Sequence, residues 1–367
     1  MVNKVVISGY YGYDNIGDEA ILEAMLYDFK SFLSPEKIIV LSNNPGCVLK
    51  QGIKSYSSRS IIENIKAIYN ADLFISGGGS LINDWNTLSL LVYLSRLIFA
   101  TIFCKRSMIY AQGIGPLRNN ISQNVSRWVL NRVNLITVRD EDSKELLYKM
   151  NVKKPVYVTS DPVFTLKPIK DAKINEILEV EGIDYSKQLI IITIRPLLGK
   201  KCAVNFKETI ASFIDYLIDK KFQVAFIQFQ PNYDKDIINE TIDLVRSKDK
   251  VKIISGYNPR ETMSIIGKAN MVIGMRLHSL IFASIMGIPI IGIIYDPKVK
   301  NFLKTIDQLN NSFYTQNIEL SKLIEMFEEL WTDKRKTGQN IKHRTLELEN
   351  KALINIELMK KILEEVE

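Results

Sequence analysis

At 367 residues the chain exceeds the roughly 100 to 200 of an ordinary single domain, so two domains are expected. Hydrophobic residues at 46% and charged residues at 24% lie at the globular average, which excludes a disordered or fibrous chain. The net charge of +7 is lopsided: residues 1–170 hold 20 Lys and Arg against 14 Asp and Glu. That surplus favours anionic substrates or an anionic membrane surface, and without long basic runs or an RNA-binding aromatic signature it argues against nucleic acid.

In chain order, residues 4–8 (KVVIS) read as a strand running into a glycine turn, with apolar residues at helical spacing over 17–33. Because the fold begins at once, no secretory leader is expected. The turn runs Gly9-Tyr10-Tyr11-Gly12-Tyr13-Asp14-Asn15-Ile16-Gly17-Asp18-Glu19. It does not match GxGxxG, and no ribose-binding acid follows the second strand, which disfavours NAD. Asn15 or Asp18 can cap the helix that follows; equally, Asp18 at the carboxyl end of the first strand is placed to act as a general base.

Further strands are expected at 38–41, 73–76, 107–112, 135–138 and 156–159, with helices near 60–69, 85–104, 122–133 and 141–150. Continuous apolar strands alternating with helices imply a parallel sheet covered on both faces. After the strand at 73–76 comes Gly77-Gly78-Gly79-Ser80, more glycine than a connection needs. Exposed amides ahead of a helix make an anion site; relief of crowding is the plainer alternative. Segment 88–104 is the most apolar, but its length and the central Arg96 keep it below a membrane span. It is expected as a largely buried helix, or else as a peripheral one that places Arg96, Lys105 and Arg106 near lipid head groups. Arg139 leaves the end of a buried strand, where it either pairs with Asp142 on the surface or recognises an anion.

Pro162 and Pro168 flank a polar passage to about Ile183, the expected linker, within which 174–178 has the pattern of a short helix. The alternation then restarts, with strands at 189–194, 223–228, 251–254, 271–273 and 290–294 and helices at 206–220, 234–246, 259–268 and 277–286. A long amphipathic helix over 339–366, its apolar stripe running from Leu346 through Leu353 to Val366, is expected to pack across the halves. The reading is α/β and GT-B-like, with two Rossmann-like domains facing a central crevice. Residues 1–170 form the basic acceptor side, 171–338 the donor side and 339–367 the helix, and ligands lie outside the carboxyl ends of the strands. Cys47, Cys104 and Cys202 have no CxxC spacing and are expected as free thiols in a reducing compartment.

The most specific cluster is Gly274-Met275-Arg276-Leu277-His278-Ser279, followed by Gly287-Ile288-Pro289 and Tyr295-Asp296-Pro297-Lys298. The chain has two histidines, distant in sequence, and no carboxylate pair at ligand spacing, so no metal site is expected. A lone histidine is more often a satisfied core residue than a catalyst. Here Arg276 and His278 precede a helix whose free amides favour phosphate, and Lys298 leaves the next strand on the same edge, so together they describe an anion pocket with a proton donor beside it.

The segments GYYGYDNIGDEAIL, ISGGGSLIND, AQGIGPL, TVRDEDS, SDPVF and GMRLHSLIFASIMGIPIIGIIYDPKVKNF, spanning about residues 9–302, resemble the polysaccharide pyruvyl transferase family, particularly its CsaB-like branch acting on bacterial secondary cell-wall polysaccharide. The resemblance implies phosphoenolpyruvate as donor, a ketal-linked pyruvate on a sugar diol as product, and no metal or redox cofactor. It places Asp18, Arg139, His278 and Lys298 at functional positions. On this reading Arg276 and Ser279 join Lys298 in binding substrate, as do Asn15, Gly78, Gly79 and Ser80 in the first half. His278 protonates the enol methylene and Asp18 deprotonates the attacking hydroxyl across the crevice, or the two exchange roles. The acceptor is expected to be lipid-linked and met at the inner face of the cytoplasmic membrane, with peripheral contact with anionic lipid. A GT-B glycosyltransferase using a nucleotide sugar is the rival, although no clear ribose-holding carboxylate is found late in the second domain. A sugar-binding scaffold would leave Arg276, His278 and Lys298 unexplained.

Overall fold

The computed structural model describes residues 4–364 except 51, 70, 185, 198 and 199, with the backbone alone of 200–203. Cys202 and Val366, both noted above, lie outside the described side chains. The chain divides into two compact units, Met1–Leu166 with Glu347–Glu367, and Lys167–Leu346.

The first unit holds β1 (Val5–Ser8), β2 (Ile38–Ser42), β3 (Lys54–Ser57), β4 (Leu73–Ser76), β5 (Arg106–Gln112), β6 (Leu135–Val138) and β7 (Val156–Val158). All pair in parallel in the order β3-β2-β1-β4-β5-β6-β7. Crossovers are made by α1 (Ile16–Phe29), α2 (Pro45–Leu49), α3 (Ile61–Ile68), α4 (Thr87–Phe103), α5 (Asn120–Leu130) and α6 (Glu141–Lys149). Every residue of β1, β2 and β4 is buried. That is the pattern of a parallel sheet covered on both faces, and each fully buried Ile, Leu or Val contributes roughly 1.5–3 kcal/mol. Strand β3 (KSYS) had no apolar run to betray it, because it closes an edge and is buried on one side only.

The expected linker is drawn differently. Residues 160–164 are buried, and Asp161 caps a 3₁₀ turn over Pro162–Thr165 that packs against α1, with Thr165 Oγ1 donating to Asp28 Oδ2 at 2.8 Å. Tied to α1 through Asp28 and to Arg139 through Asp161, a proline-bearing stretch that reads as a connector belongs to the core. The chain passes to the second unit only after Leu166.

The second unit begins with α7 (Asp171–Val180) and contains β8 (Leu189–Thr193), β9 (Gln223–Ile227), β10 (Val251–Ile254), β11 (Met271–Gly274), β12 (Ile290–Ile294) and β13 (Ser312–Tyr314). They too are parallel, in the order β10-β9-β8-β11-β12-β13. The remaining helices are α8 (Lys200–Asp219), α9 (Pro231–Ile242), α10 (Pro259–Ile266), α11 (Leu277–Met286), α12 (Pro297–Thr305), α13 (Leu320–Thr332) and α14 (Lys334–Glu364). Helix α10 opens with a capping box, Asn258 with Glu261, an arrangement worth about 1 kcal/mol.

Helix α14 starts five residues before the expected 339 and contributes to both units. In the second, Thr345 Oγ1 donates to Ser284 O at 3.0 Å. In the first, the buried Asn355 Oδ1 accepts from Thr137 Oγ1 at 2.6 Å and Thr159 Oγ1 at 2.9 Å. Leu346 and Leu353, expected in the apolar stripe, are exposed; Met359, Ile362 and Leu363 are buried.

Helix α4 is neither wholly buried nor a surface helix. Leu90, Leu94, Leu97 and Ala100 enter the core while Leu88, Leu91, Val92, Ile102 and Phe103 face outward. Arg96 is buried, which removes it from the head-group contact expected of it, and Lys105 pairs with Asp72 at 2.7 Å. Among the described residues no helix is long and apolar enough to cross a membrane. Cys47 and Cys104 are free, and burial pushes the Cys104 thiol up to about 12.

Each sheet reverses its strand order once, between β1 and β4 and between β8 and β11. The carboxyl ends at such a reversal are where open α/β sheets bind ligands.

Candidate active site

At the reversal of the first sheet, the turn after β1 meets the turn after β4. Asn15 Oδ1 accepts from Gly17 N at 3.1 Å and caps α1, so this residue serves the helix. Asp18 and Glu19 therefore fall in the first turn of α1, where exposed amides favour negative charge. Asp18 Oδ1 lies against Gly79: a Cβ there would sit 3.0 Å from it, and the φ of +94° already favours glycine. A Cβ on Gly78 would meet Ile21 at 2.8 Å, and one on Gly77 would strike the buried ring of Tyr11. The glycines expected as an anion cradle thus first allow α1 to approach β4.

Glu19 is the acid that sequence reasoning passed over. Gly12 N donates to its Oε1 at 2.6 Å. Burial pushes this carboxyl up to about 7; Asp18 and Asp14 add to the rise, against hydrogen bonds from Gly12 and Tyr13. Its signal was the adjacent Asp-Glu pair directly after a glycine turn.

Arg139, just past β6, has a side chain 8% exposed that pairs with Asp161 Oδ2 at 3.2 Å and donates to Ser80 Oγ at 3.0 Å, with Asp140 at 3.7 Å. The structure thus joins Asp18, Gly79, Ser80, Arg139 and Asp161 through consecutive contacts. The ion-pair partner is Asp161 and not Asp142: the SDPVF turn runs beside β6, whereas Asp142 lies exposed on α6. Held by a buried carboxylate, Arg139 fixes the Ser80 turn rather than standing open to an anion.

In the second sheet, Thr193 lies opposite Gly274 and Gly274 opposite Gly292, so the residues just beyond β8, β11 and β12 emerge along one edge. Arg276, expected to hold phosphate, turns inward and forms an ion pair with Asp234, whose other oxygen accepts from Phe229 N and Gln230 N at 3.0 Å each. Ser279, expected to bind substrate, is fully buried, with its Oγ 2.6 Å from both Thr193 Oγ1 and Arg276 O. Arg276 is drawn to the start of α9 after β9 and Ser279 to the end of β8, which is why a motif on the right edge contains residues that point away from it.

The edge itself is held by Arg195, Tyr295 and Lys298. Arg195 donates to Tyr295 Oη at 3.0 Å and its guanidinium lies 4.7 Å from the ring centroid, with Lys298 Nζ 5.6 Å from the same ring. Burial would raise the Tyr295 hydroxyl, but Lys298 and Arg195 outweigh it and hold the group below its usual value. Among the described residues neither cation has a carboxylate within salt-bridge distance. His278 stands half-buried in the first turn of α11, beside this edge. Arg195 was missed although it leaves β8 as Arg139 leaves β6. Asp161 and Asp234 lie 22 and 42 residues from their arginines, and nothing local marks them. Among the described residues no three His, Cys, Asp or Glu side chains gather as metal ligands.

Two parallel sheets, each wrapped by helices and each carrying polar groups where its strand order reverses, define a GT-B-like protein of two Rossmann-like domains. Solved structures share that fold. They include a glycosyltransferase from Rickettsia africae ESF-5 (TM-score 0.64, 16% identity, covering 98% of each chain) and S. aureus MnaA solved with UDP (0.66, 12%, covering 97% of this chain and 95% of that one). Anabaena HepE in complex with UDP-glucose also matches (0.64, 11%, 99% of each). Residues 15–297 match the family described as Polysaccharide pyruvyl transferase, and the chain belongs to that family. Over 207 residues it is 25% identical to the amylovoran biosynthesis protein AmsJ of Erwinia amylovora, covering 53% of this chain and 50% of that protein. The chain therefore spans about half the length of the curated relative it matches.

Proposed function

We propose that the protein transfers the enolpyruvyl group of phosphoenolpyruvate to two hydroxyls of a polysaccharide precursor, forming a ketal and releasing phosphate. The observation that carries this reading, in a chain of this family, is the cationic edge of the second unit: Arg195 and Lys298 on Tyr295, beside His278 at the start of α11. A donor bearing both carboxylate and phosphate needs separate cations and helix-terminal amides, and this edge offers them. His278 protonates the methylene carbon, the neighbouring carbon becomes electrophilic, and one acceptor hydroxyl adds to it while its proton passes to a carboxylate. The second hydroxyl then displaces phosphate: its oxygen bonds to the carbon, the bond from that carbon to the phosphate oxygen breaks, and its proton leaves with the phosphate. Asp18 is the assigned base, with Glu19 beside it, and the acid and base assignments are interchangeable between Asp18 and His278.

No electron changes hands, so the reading includes no redox cofactor, and it assigns no metal. The acceptor is taken to be lipid-linked and met at the inner face of the cytoplasmic membrane. Incubation with phosphoenolpyruvate or a nucleotide sugar, together with a saccharide acceptor, tests it. Phosphate release with ketal formation, persisting in excess EDTA, is expected; release of nucleoside diphosphate would instead establish a glycosyltransferase.

A further inference from the structure

A cavity of about 520 Å³ opens in the first unit between α3, α4, the turn after β3 and the Tyr10 to Tyr13 part of the turn after β1. Its floor is polar. Arg96, 7% exposed, donates from Nη1 to Ser8 Oγ at 3.1 Å and from Nη2 to Ser58 O, and lies 5.4 Å from the Tyr93 ring. All these partners are neutral. Arg96 Nε, Ser58 Oγ and Asn64 Oδ1 are buried with no hydrogen-bond partner among the described residues, and all three residues line this cavity. Among the described residues no acidic one lines it. A buried cation without a counter-charge and three unsatisfied polar atoms at one place are costly to a fold unless a ligand completes them.

The walls are mostly apolar, with Ile61, Ile65, Ile68, Val92 and Phe99, and include Arg59, Ser89 and Ser95. Beyond the rim, α3 and α4 continue with Ile62, Leu88, Leu91, Ile102 and Phe103, all exposed. Apolar side chains exposed together on two packed helices are of the kind that marks an interaction site. Inorganic phosphate would satisfy the floor and leave the walls wet. A flat bilayer would cover the outer residues, but its head groups would not reach a cation at the bottom of a cavity.

We propose that this cavity binds a single-chain lipid phosphate, the phosphate on Arg96 and Ser58 and the chain along α3 and α4. Asn64 Oδ1 then accepts from a hydroxyl on the phosphate or on a sugar attached to it. Tyr10 and Tyr13, stacked 4.2 Å apart, line the cavity and belong to the turn that leads to Asp18, so a saccharide carried by the phosphate is delivered to that carboxylate. The delivery step rests on the pyruvyl-transfer reading; the binding does not.

Calorimetry on the full chain with farnesyl phosphate, farnesol and inorganic phosphate tests the site without any turnover. Farnesyl phosphate is expected to bind in the micromolar range, with each of the other two at least about tenfold weaker. Arg96→Gln should lower farnesyl phosphate affinity by about tenfold or more and leave farnesol unchanged. Val92→Glu, at a half-exposed wall position that keeps the fold intact, should abolish binding. Equal affinity for farnesol, equal affinity for inorganic phosphate, or full affinity in Val92→Glu overturns the proposal. Because no product is measured, failure of pyruvyl transfer would leave a positive result standing, and the converse holds.

Discussion

Where the first sheet reverses, the groups beside the strand ends are the carboxylates Asp18 and Glu19, packed against glycine; where the second reverses, they are the cations Arg195 and Lys298, packed against a tyrosine ring. In each unit the opposite charge is buried in an ion pair, Arg139 with Asp161 in the first and Asp234 with Arg276 in the second. The unit with the basic sequence thus presents an acidic edge. A domain's summed charge describes its surface, whereas the polarity of its site is set by which charge is buried against a partner.

The largest effect is expected where such a pair is broken. Arg276→Met leaves Asp234 uncompensated at a fully buried position and should destabilise the protein by about 3–5 kcal/mol in denaturant titration. Adding Asp234→Asn should recover most of the loss; an unchanged midpoint in the single variant would mean that Asp234 does not set the polarity of that edge. Next comes His278→Ala, which should lower kcat by at least about a hundredfold with an unaltered melt. Lys298→Ala should cost about 1.5–3 kcal/mol in donor binding, read as a higher KM for phosphoenolpyruvate, with stability retained. Arg139→Ala, in contrast, should lower stability, and a purely kinetic effect there would erase the distinction between a buried and a presented cation.

The smallest effect sharpens the acidic side. The Glu19 carboxyl is raised from 4.5 to about 7, so the folded chain holds a proton there that the unfolded chain has already released. The stability this contributes is complete below about pH 4.5 and is lost as pH rises through 7. Glu19→Gln keeps an acceptor for Gly12 N without the buried charge. It should therefore exceed the parent in stability above pH 7, by roughly 1–3 kcal/mol, and match it near pH 4 in thermal melts across that range.

The sheets were legible wherever strands are buried on both faces, since β1, β4, β8 and β12 are unbroken apolar runs. Edge strands β3 and β13 were not, because one side faces water and no run is required. At the site, motif spacing found the edge but not the direction of each side chain. Arg276 and Ser279 share that edge with His278 yet turn inward, because partners distant in sequence, Asp234 on α9 and Thr193 on β8, receive them. Asp161, in SDPVF just ahead of the expected linker, carries no local mark of its role, since its partner arrives from another strand.

The first unit is discontinuous in sequence: Asn355, on α14, accepts from the hydroxyls of Thr137 and Thr159, and Ser160 Oγ donates to Leu348 O. On the ribosome one side of that seam is made first and waits while the whole of the second unit is translated. At roughly 5–20 residues per second the wait is on the order of 10–40 seconds, far longer than most domains take to collapse. The amino-terminal sheet therefore leaves the exit tunnel with Thr137 and Thr159 bonded only to the carbonyls of Ile109 and Val138, and the α14 side of that seam is added last.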